Sequence, residues 1–242
     1  IANVFGGQLD RVAVSGDASF NLDLMVPLKR ERLQEFEFVA RIRSNNGTLA
    51  IEGFEPPITD LIGEVTIERD GISSEGLGAT FLGEDVDISL ARSEDPRFSV
   101  VVTALGTATA EGVVNELAAP LEGLISGATP YEARILFPNS KSATPSSLTI
   151  QFDSDLEGFG IELPEPLNKP PEESLQVYAD IRFLPGGEAI ESSGFAENQF
   201  AWQIAFNRPE DFWDFDRGVV TLGGEDVEPA DTRGLHIRGA TG

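Results

Sequence analysis

Apolar and polar side chains alternate along most of the chain. Between Pro57 and Leu90 the alternation forms three short segments, which are separated at Asp70-Gly71 and at Gly83-Glu84. Because successive side chains of a strand point to opposite faces, each segment predicts a β-strand with one apolar and one charged face. The same pattern recurs to the C-terminus. It predicts a mainly β fold, a curled antiparallel β-sheet whose apolar side forms an elongated groove.

One polar tripeptide interrupts the first strands. Asn45-Asn46-Gly47 follows an alternating segment that includes Phe38 and Ile42. Since Asn and Gly tolerate positive φ, the tripeptide predicts a hairpin turn, with residues 48–52 as the returning strand.

The apolar period changes from two to that of a helix between Thr107 and Gly127. We predict one short helical segment at about residues 107–126, with Thr109 as its N-cap. Such a helix either plugs the end or edge of the sheet or forms a lid over a ligand. The chain is then divided into a β-groove segment (1–105), a helical segment (106–127) and a β-groove segment that continues the same sheet (128–242).

The composition is strongly acidic. The chain has 17 basic and 41 acidic residues among 242, a formal charge of −24, and no cysteine. This balance argues against nucleic acid, which needs clustered Lys and Arg, and against adsorption to an anionic membrane surface. No apolar run reaches the roughly 18 residues that span a bilayer. The ends of the sequence indicate a piece of a longer protein.

The sequence offers little catalytic chemistry. The single histidine, His236, has no cysteine partner and no nearby nucleophile. Asp85 and Asp87 share a strand face, as would Asp153, Asp155 and Glu157 if their strand extends that far. Facing carboxylates could serve a glycosidase or a calcium ion, but a chain this acidic produces such pairs by chance. We therefore predict no enzyme, no cofactor and no metal site.

The order of motifs resembles the YhdP family of AsmA-like envelope proteins of Gram-negative bacteria, from about Gly7 to Gly239. The most specific stretch begins Asp155-Leu156-Glu157-Gly158-Phe159-Gly160 and ends Leu163-Pro164-Glu165-Pro166-Leu167-Asn168-Lys169-Pro170. The other matching segments are residues 57–65, Asp70-Gly71-Ile72, Phe81-Leu82-Gly83, and residues 108–114, 217–224 and 234–239.

The resemblance implies a periplasmic protein held by one N-terminal inner-membrane helix and similar to chorein-type, bridge-like lipid transfer proteins. It implies phospholipid transport between inner and outer membranes, in support of the outer-membrane barrier, and no catalytic residues. Anchoring would lie outside this chain, and its partners would be phospholipid acyl chains and neighbouring β-groove segments of the same parent. The acidity suggests a rim that repels anionic lipids.

The candidate groove lining consists of the alternating apolar residues. A groove that shields an acyl chain of about sixteen carbons offsets about 12 kcal/mol of exposure, at about 0.8 kcal/mol per methylene. The alternative for each residue is an ordinary closed core, as in a structural scaffold. The candidates are Phe38, Ile42, Val65, Ile67, Val86, Ile88, Leu90, Val100, Val102, Ile150, Phe152, Ile181, Phe183, Trp202, Ile204, Phe206, Val220 and Leu222.

Overall fold

The structure is a computed structural model. It describes residues 12–26, 37–51, 54–69, 71–116, 121–139, 141–144, 146–164, 167–184, 189–197, 199–207, 214–224, 227–230 and 232–239. The strands are β1 (Val12–Met25), β2 (Glu37–Ile51), β3 (Phe54–Glu68), β4 (Gly71–Phe81), β5 (Glu84–Arg92), β6 (Phe98–Thr109), β7 (Ile125–Pro138), β8 (Leu148–Ser154), β9 (Phe159–Ile161), β10 (Val177–Phe183), β11 (Ala189–Ala196), β12 (Phe200–Asn207), β13 (Asp214–Leu222) and β14 (Gly234–Gly239). Among the described residues there is one helix, α1 (Ala110–Glu116), which follows β6.

The chain forms two compact units. The first contains residues 1–106 and 136–146, and the second contains residues 107–135 and 147–242. In the first unit the strands are hydrogen-bonded in the order β1-β2-β3-β4-β5-β6, and every neighbour is antiparallel. In the second unit the order is β7-β8-β10-β11-β12-β13-β14, and β9 pairs with β7. The division at residues 105 and 127 that the sequence suggested stays a prediction.

The mainly β, antiparallel fold class with one short helix is confirmed for the described strands and helix, with one exception in their pairing. The last strand, β14, runs parallel to β13. A parallel neighbour requires the chain to return to the end where the previous strand began, which needs a long connection. Residues 223–233 supply that connection.

The hairpin turn predicted at Asn45-Asn46-Gly47 is wrong, because β2 continues through it as one strand. Asp17 lies opposite Asn46 and Ala18 lies opposite Ser44, so Asn45 is an extra residue without a partner in β1. A β-bulge absorbs one extra residue without ending the ladder. The tripeptide therefore bends a long strand and does not reverse it.

The helix is shorter than the predicted segment 107–126. Residues 107–109 extend β6, and Ile125 already belongs to β7. Residues 117–120, which include the predicted apolar position Leu117, lie outside the described residues. The predicted N-cap is confirmed, since Thr109 Oγ1 accepts a hydrogen bond from the Gly112 backbone N–H at 3.0 Å.

Candidate functional site

In the first unit the strand register places all the predicted lining residues on one face of the sheet. Directly opposed residues of antiparallel strands point to the same side. Ile42 opposes Val65, and Leu90 opposes Val102. Leu77 of β4 links these two pairs of strands, since it opposes Gly63 on β3 and Ile88 on β5. This first apolar face contains Phe38, Ile42, Val65, Ile67, Val86, Ile88, Leu90, Val100 and Val102.

The second unit has a corresponding face. Ile150 opposes Ile181, and Trp202 opposes Val220. Gly194 on β11 lies between them, since it opposes both Ala179 and Trp202. This second apolar face contains Ile150, Phe152, Ile181, Phe183, Trp202, Ile204, Phe206, Val220 and Leu222.

The two faces are buried unevenly. The buried members, each 3–5% exposed, are Ile67, Val86, Ile88, Val100, Ile150 and Phe183. The half-buried members are Phe38, Ile42, Val65, Leu90, Val102, Phe152, Ile181, Trp202, Ile204, Phe206, Val220 and Leu222. Half-buried apolar side chains keep surface that another apolar molecule could cover. Lipid binding by these residues stays a prediction.

The register adds exposed apolar residues that the predicted lining did not include. Phe20, Leu22 and Leu24 of β1 belong to the first face and are 58%, 45% and 56% exposed. Leu235 and Ile237 of β14 belong to the second face and are 56% and 68% exposed. Among the described residues β1 pairs only with β2, and β14 pairs only with β13. Within the described residues, these five exposed members of the two faces therefore lie on strands that have only one paired neighbour.

The opposite side of the first unit's sheet is charged, as the alternation predicts. Arg43 bonds across the strands to Glu64 at 3.0 Å, and Arg41 bonds to Asp23 at 2.8 Å. Exposed ion pairs of this kind add little stability, so their main effect is to keep this side of the sheet in contact with water.

In the second unit the connection before β14 covers the side opposite the second apolar face. Pro229 and Ala230 line a cavity of about 230 Å³ together with Gln203, Ala205 and Arg217. Gln203 and Ala205 alternate with the face residue Ile204, so they point away from the second apolar face. The connection therefore lies mainly over the other side of the sheet, although Ile204 and Gly218 also line this cavity.

Trp202 packs over Gly194 on the second apolar face. Its indole Nε1–H donates to Ser192 Oγ at 3.1 Å, and its ring is 5.9 Å from that of Phe200. With its only polar atom satisfied, the ring presents an apolar surface.

The family model described as YhdP protein matches residues 1–242. The chain belongs to the YhdP family. This confirms the resemblance drawn from its motifs.

One curated relative of the YhdP-family chain is the intermembrane phospholipid transporter YhdP of Escherichia coli (strain K12). The two are 22% identical over 197 residues, an alignment that covers 81% of this chain and 15% of the relative. The chain thus spans 15% of the length of the curated relative it matches. No solved structure matches it significantly.

Membership of the YhdP family also agrees with the prediction that the chain is not an enzyme, since the curated relative is named as a transporter. Asp155 and Glu157, two of the carboxylates considered for glycosidase or calcium chemistry, do not continue the strand face of Asp153. The strand β8 ends at Ser154, and Asp155 Oδ1 accepts a hydrogen bond from the Glu157 N–H at 3.0 Å within a turn. Within the described part of the chain, no group of three or more His, Cys, Asp or Glu side chains could hold a metal ion.

Among the helices of the described residues, none is long and apolar enough to cross a bilayer.

Sequence reasoning missed a cleft with basic residues at one end of the first apolar face. The cleft has a volume of about 410 Å³ and is lined by apolar residues that include Ile72 and Phe98, and by Arg69, Arg92 and Lys141. One signal was available in the sequence, because Arg92 continues the alternating series Val86, Ile88, Leu90. The other two cations come from distant segments, and only the fold brings them together.

Proposed function

We propose that this chain is a segment of a periplasmic conduit that carries phospholipids between the inner and outer membranes. The half-buried residues of the two apolar faces bind acyl chains. The observation that carries the proposal is that register gathers every predicted lining residue onto one face in each unit. Family membership and the name of the curated relative support phospholipid as the cargo.

A phospholipid leaving a bilayer must keep its acyl chains away from water. Each methylene exposed costs about 0.8 kcal/mol, so a face that shields part of each chain lowers the barrier in proportion to the methylenes it covers. An open apolar face does this without holding the lipid tightly. The headgroup and the charged side of the sheet both stay in water.

Within the part of the chain that the structure describes, β1 and β14 each have one strand neighbour, and their outer edges fit partners of one kind. Such an edge, beside exposed apolar side chains, is a template on which a further strand can add. Neighbouring β-groove segments of the same parent protein would extend both apolar faces there. Inner-membrane anchoring and contacts with either membrane belong to other parts of the parent, and the conduit as a whole supports the outer-membrane barrier.

A pair of adjacent valines in β6 allows a sharp test. Val102 opposes Leu90 on the first apolar face, and Val101 opposes Ala91 on the other side of the sheet. Both side chains are half-buried, so the two positions are matched in burial for a photo-crosslinking amino acid. In the full-length protein in living cells, we expect radiolabelled phospholipid to crosslink at position 102 and not at position 101. Equal labelling at both positions, or at neither, would overturn the proposal.

A structural scaffold with a closed core is the second candidate. The burial of Val86 and Ile88, at 3% and 5% exposure, favours it for the centre of the first unit. The variants Val102→Asp and Val101→Asp distinguish lipid transport from a scaffold role, once circular dichroism shows that both variants fold. Lipid transport predicts loss of barrier function for Val102→Asp only, whereas a scaffold tolerates both substitutions equally.

A further inference from the structure

The cleft in the first unit combines an apolar floor with a cationic rim. Ile72, Phe98 and Val100 supply apolar lining, and Val100 is itself a member of the first apolar face. Arg92 opposes Val100, so its side chain leaves the same side of the sheet. The cleft therefore adjoins the proposed path of the acyl chains.

The charge of this lining is opposite to that of the chain. The whole sequence carries 41 acidic and 17 basic residues. Among the described lining residues, the charged ones are three cations, Arg69, Arg92 and Lys141, and one anion, Glu94. A local excess of cations in an anionic protein creates a site that selects a negative ligand group.

Two of these cations form no ion pair with a described carboxylate. The nearby Arg97 is paired, since its guanidinium donates three hydrogen bonds to Asp95 at 2.6–3.1 Å. These side-chain bonds are the main cause that holds the pKa of Asp95 below its usual value. Arg92 and Lys141 are exposed and form no such ion pair within the described residues.

Local hydrogen bonds fix the segment that carries Lys141. The Asn139 N–H donates to the Arg97 carbonyl at 2.8 Å, and its side-chain amide donates to the Pro96 carbonyl at 3.0 Å. Asn139 Oδ1 in turn accepts the Lys141 N–H at 3.0 Å. The Lys141 backbone is therefore held beside the turn that closes the cleft before a ligand arrives, which lowers the entropic cost of binding.

We propose that this cleft binds the phosphate of a phospholipid headgroup through Arg92 and Lys141, with Arg69 at its rim, while the acyl chains lie on the first apolar face. The inference rests on the proposed function. It reverses the expectation that an acidic rim repels anionic lipids, because the cations are concentrated where the apolar face ends. Guanidinium and ammonium groups both form charge-assisted hydrogen bonds with phosphate.

Calorimetry on the whole chain with three soluble probes tests this site. The probes are dihexanoyl phosphatidylglycerol, dihexanoylglycerol, which lacks the phosphate, and inorganic phosphate. The test variant is Arg92→Gln with Lys141→Gln. The control variant, Arg41→Gln with Arg134→Gln, changes the net charge equally at two exposed arginines away from the cleft. Circular dichroism confirms that each variant folds.

We expect the unmodified chain to bind the phosphatidylglycerol about tenfold more tightly than the diacylglycerol, the effect of one charge-assisted hydrogen bond. The test variant should lose this preference and keep its affinity for the diacylglycerol, and the control variant should keep both. Excess inorganic phosphate should weaken phosphatidylglycerol binding only in the chain with both cations.

The other outcomes separate this inference from the proposed function. Equal binding of both lipids by the unmodified chain, or a preference that survives in the test variant, overturns the headgroup site alone. Failure of both lipids to bind overturns the proposed function and the site with it. Tight binding of inorganic phosphate without either lipid would identify a free-phosphate site and also overturn the inference.

Discussion

Trp202 lies directly opposite Gly194 on the neighbouring strand, and its six-membered ring occupies the space that a Cβ on Gly194 would need. The ring atoms Cζ2 and Cη2 are among the nearest neighbours of that position, together with the Tyr178 carbonyl oxygen. The absence of a side chain at Gly194 is therefore what lets the indole pack over this strand on the second apolar face.

Gly194→Ala should displace the indole and destabilise the fold. Overpacking of this kind costs about 1–3 kcal/mol, which urea unfolding followed by circular dichroism would measure. Gly78→Ala is the matched control, since Gly78 also lies within a strand but its Cβ would meet nothing within 4 Å. Equal stability of the two variants would contradict this account of Trp202.

Tyr131 should make the second unit sensitive to alkali. Its side chain is 6% exposed and stacks on Phe152 with ring centroids 5.5 Å apart. Burial raises the pKa of Tyr131 from 10.0 to about 12. Because the folded pKa is raised, its contribution is fully present below pH 10 and is lost as the pH rises towards 12.

The loss amounts to about 2–3 kcal/mol, at about 1.4 kcal/mol per pH unit. Tyr131→Phe keeps the stacked ring and removes the ionisation, so its stability should decline less over this range. Urea unfolding at several pH values measures the difference. Tyr178→Phe, at a half-buried ring, provides the comparison. Superimposable pH profiles for the unmodified chain and Tyr131→Phe would show that the prediction is wrong.

Lys169 should be a structural residue, although lysine is rarely buried. It is 2% exposed, and its Nζ donates to the carbonyls of Leu156, Phe159 and Pro170 at 2.7, 2.7 and 3.2 Å. Burial lowers the pKa of Lys169. The three bonds hold the segment after β9 against the turn before it.

Lys169→Met preserves much of the side-chain volume but leaves these carbonyls unpaired, at a cost of about 3 kcal/mol. Chemical unfolding measures it. Lys141→Met, at an exposed lysine, should change stability by less than about 0.5 kcal/mol. A similar effect at both lysines would remove the structural role assigned to Lys169.

Thr109 should stabilise the N-terminus of α1 as its N-cap. Thr109→Ala removes the side-chain oxygen that accepts the Gly112 N–H and should cost about 1 kcal/mol. Thr109→Ser should retain most of that stability, and Thr107→Ala, at an exposed residue of β6, should have little effect. Thermal unfolding of the three variants provides the measurement, and an equal loss for Thr107→Ala would argue against a specific cap.

Much of the architecture could be predicted because alternation is a local property. A strand's two faces follow from its own residues, so Ile150 and Phe152 belong on one side whatever their neighbours are. When two strands pair, their apolar faces come to lie on the same side of the sheet, as Ile150 and Ile181 do. The Thr109 cap was predictable for the same reason, since donor and acceptor are three residues apart.

Other features depend on segments that are far apart in the chain. Asn45-Asn46-Gly47 has the composition of a turn, and its role as a bulge is decided by β1 and β3 pairing on either side of it. The burial of Lys169 depends on three carbonyls that the folded chain places around one amine.

The sequence by itself determined that the chain builds strands with one apolar side and that this side contains the proposed lining, because both follow from period and residue type. Only the tertiary structure decided which of those apolar residues stay half-exposed, that the connection before β14 covers the opposite side of the sheet, and that Arg92 and Lys141 line one cleft. Exposure and electrostatic grouping are set by distances between residues remote in sequence, and those distances exist only once the chain has folded.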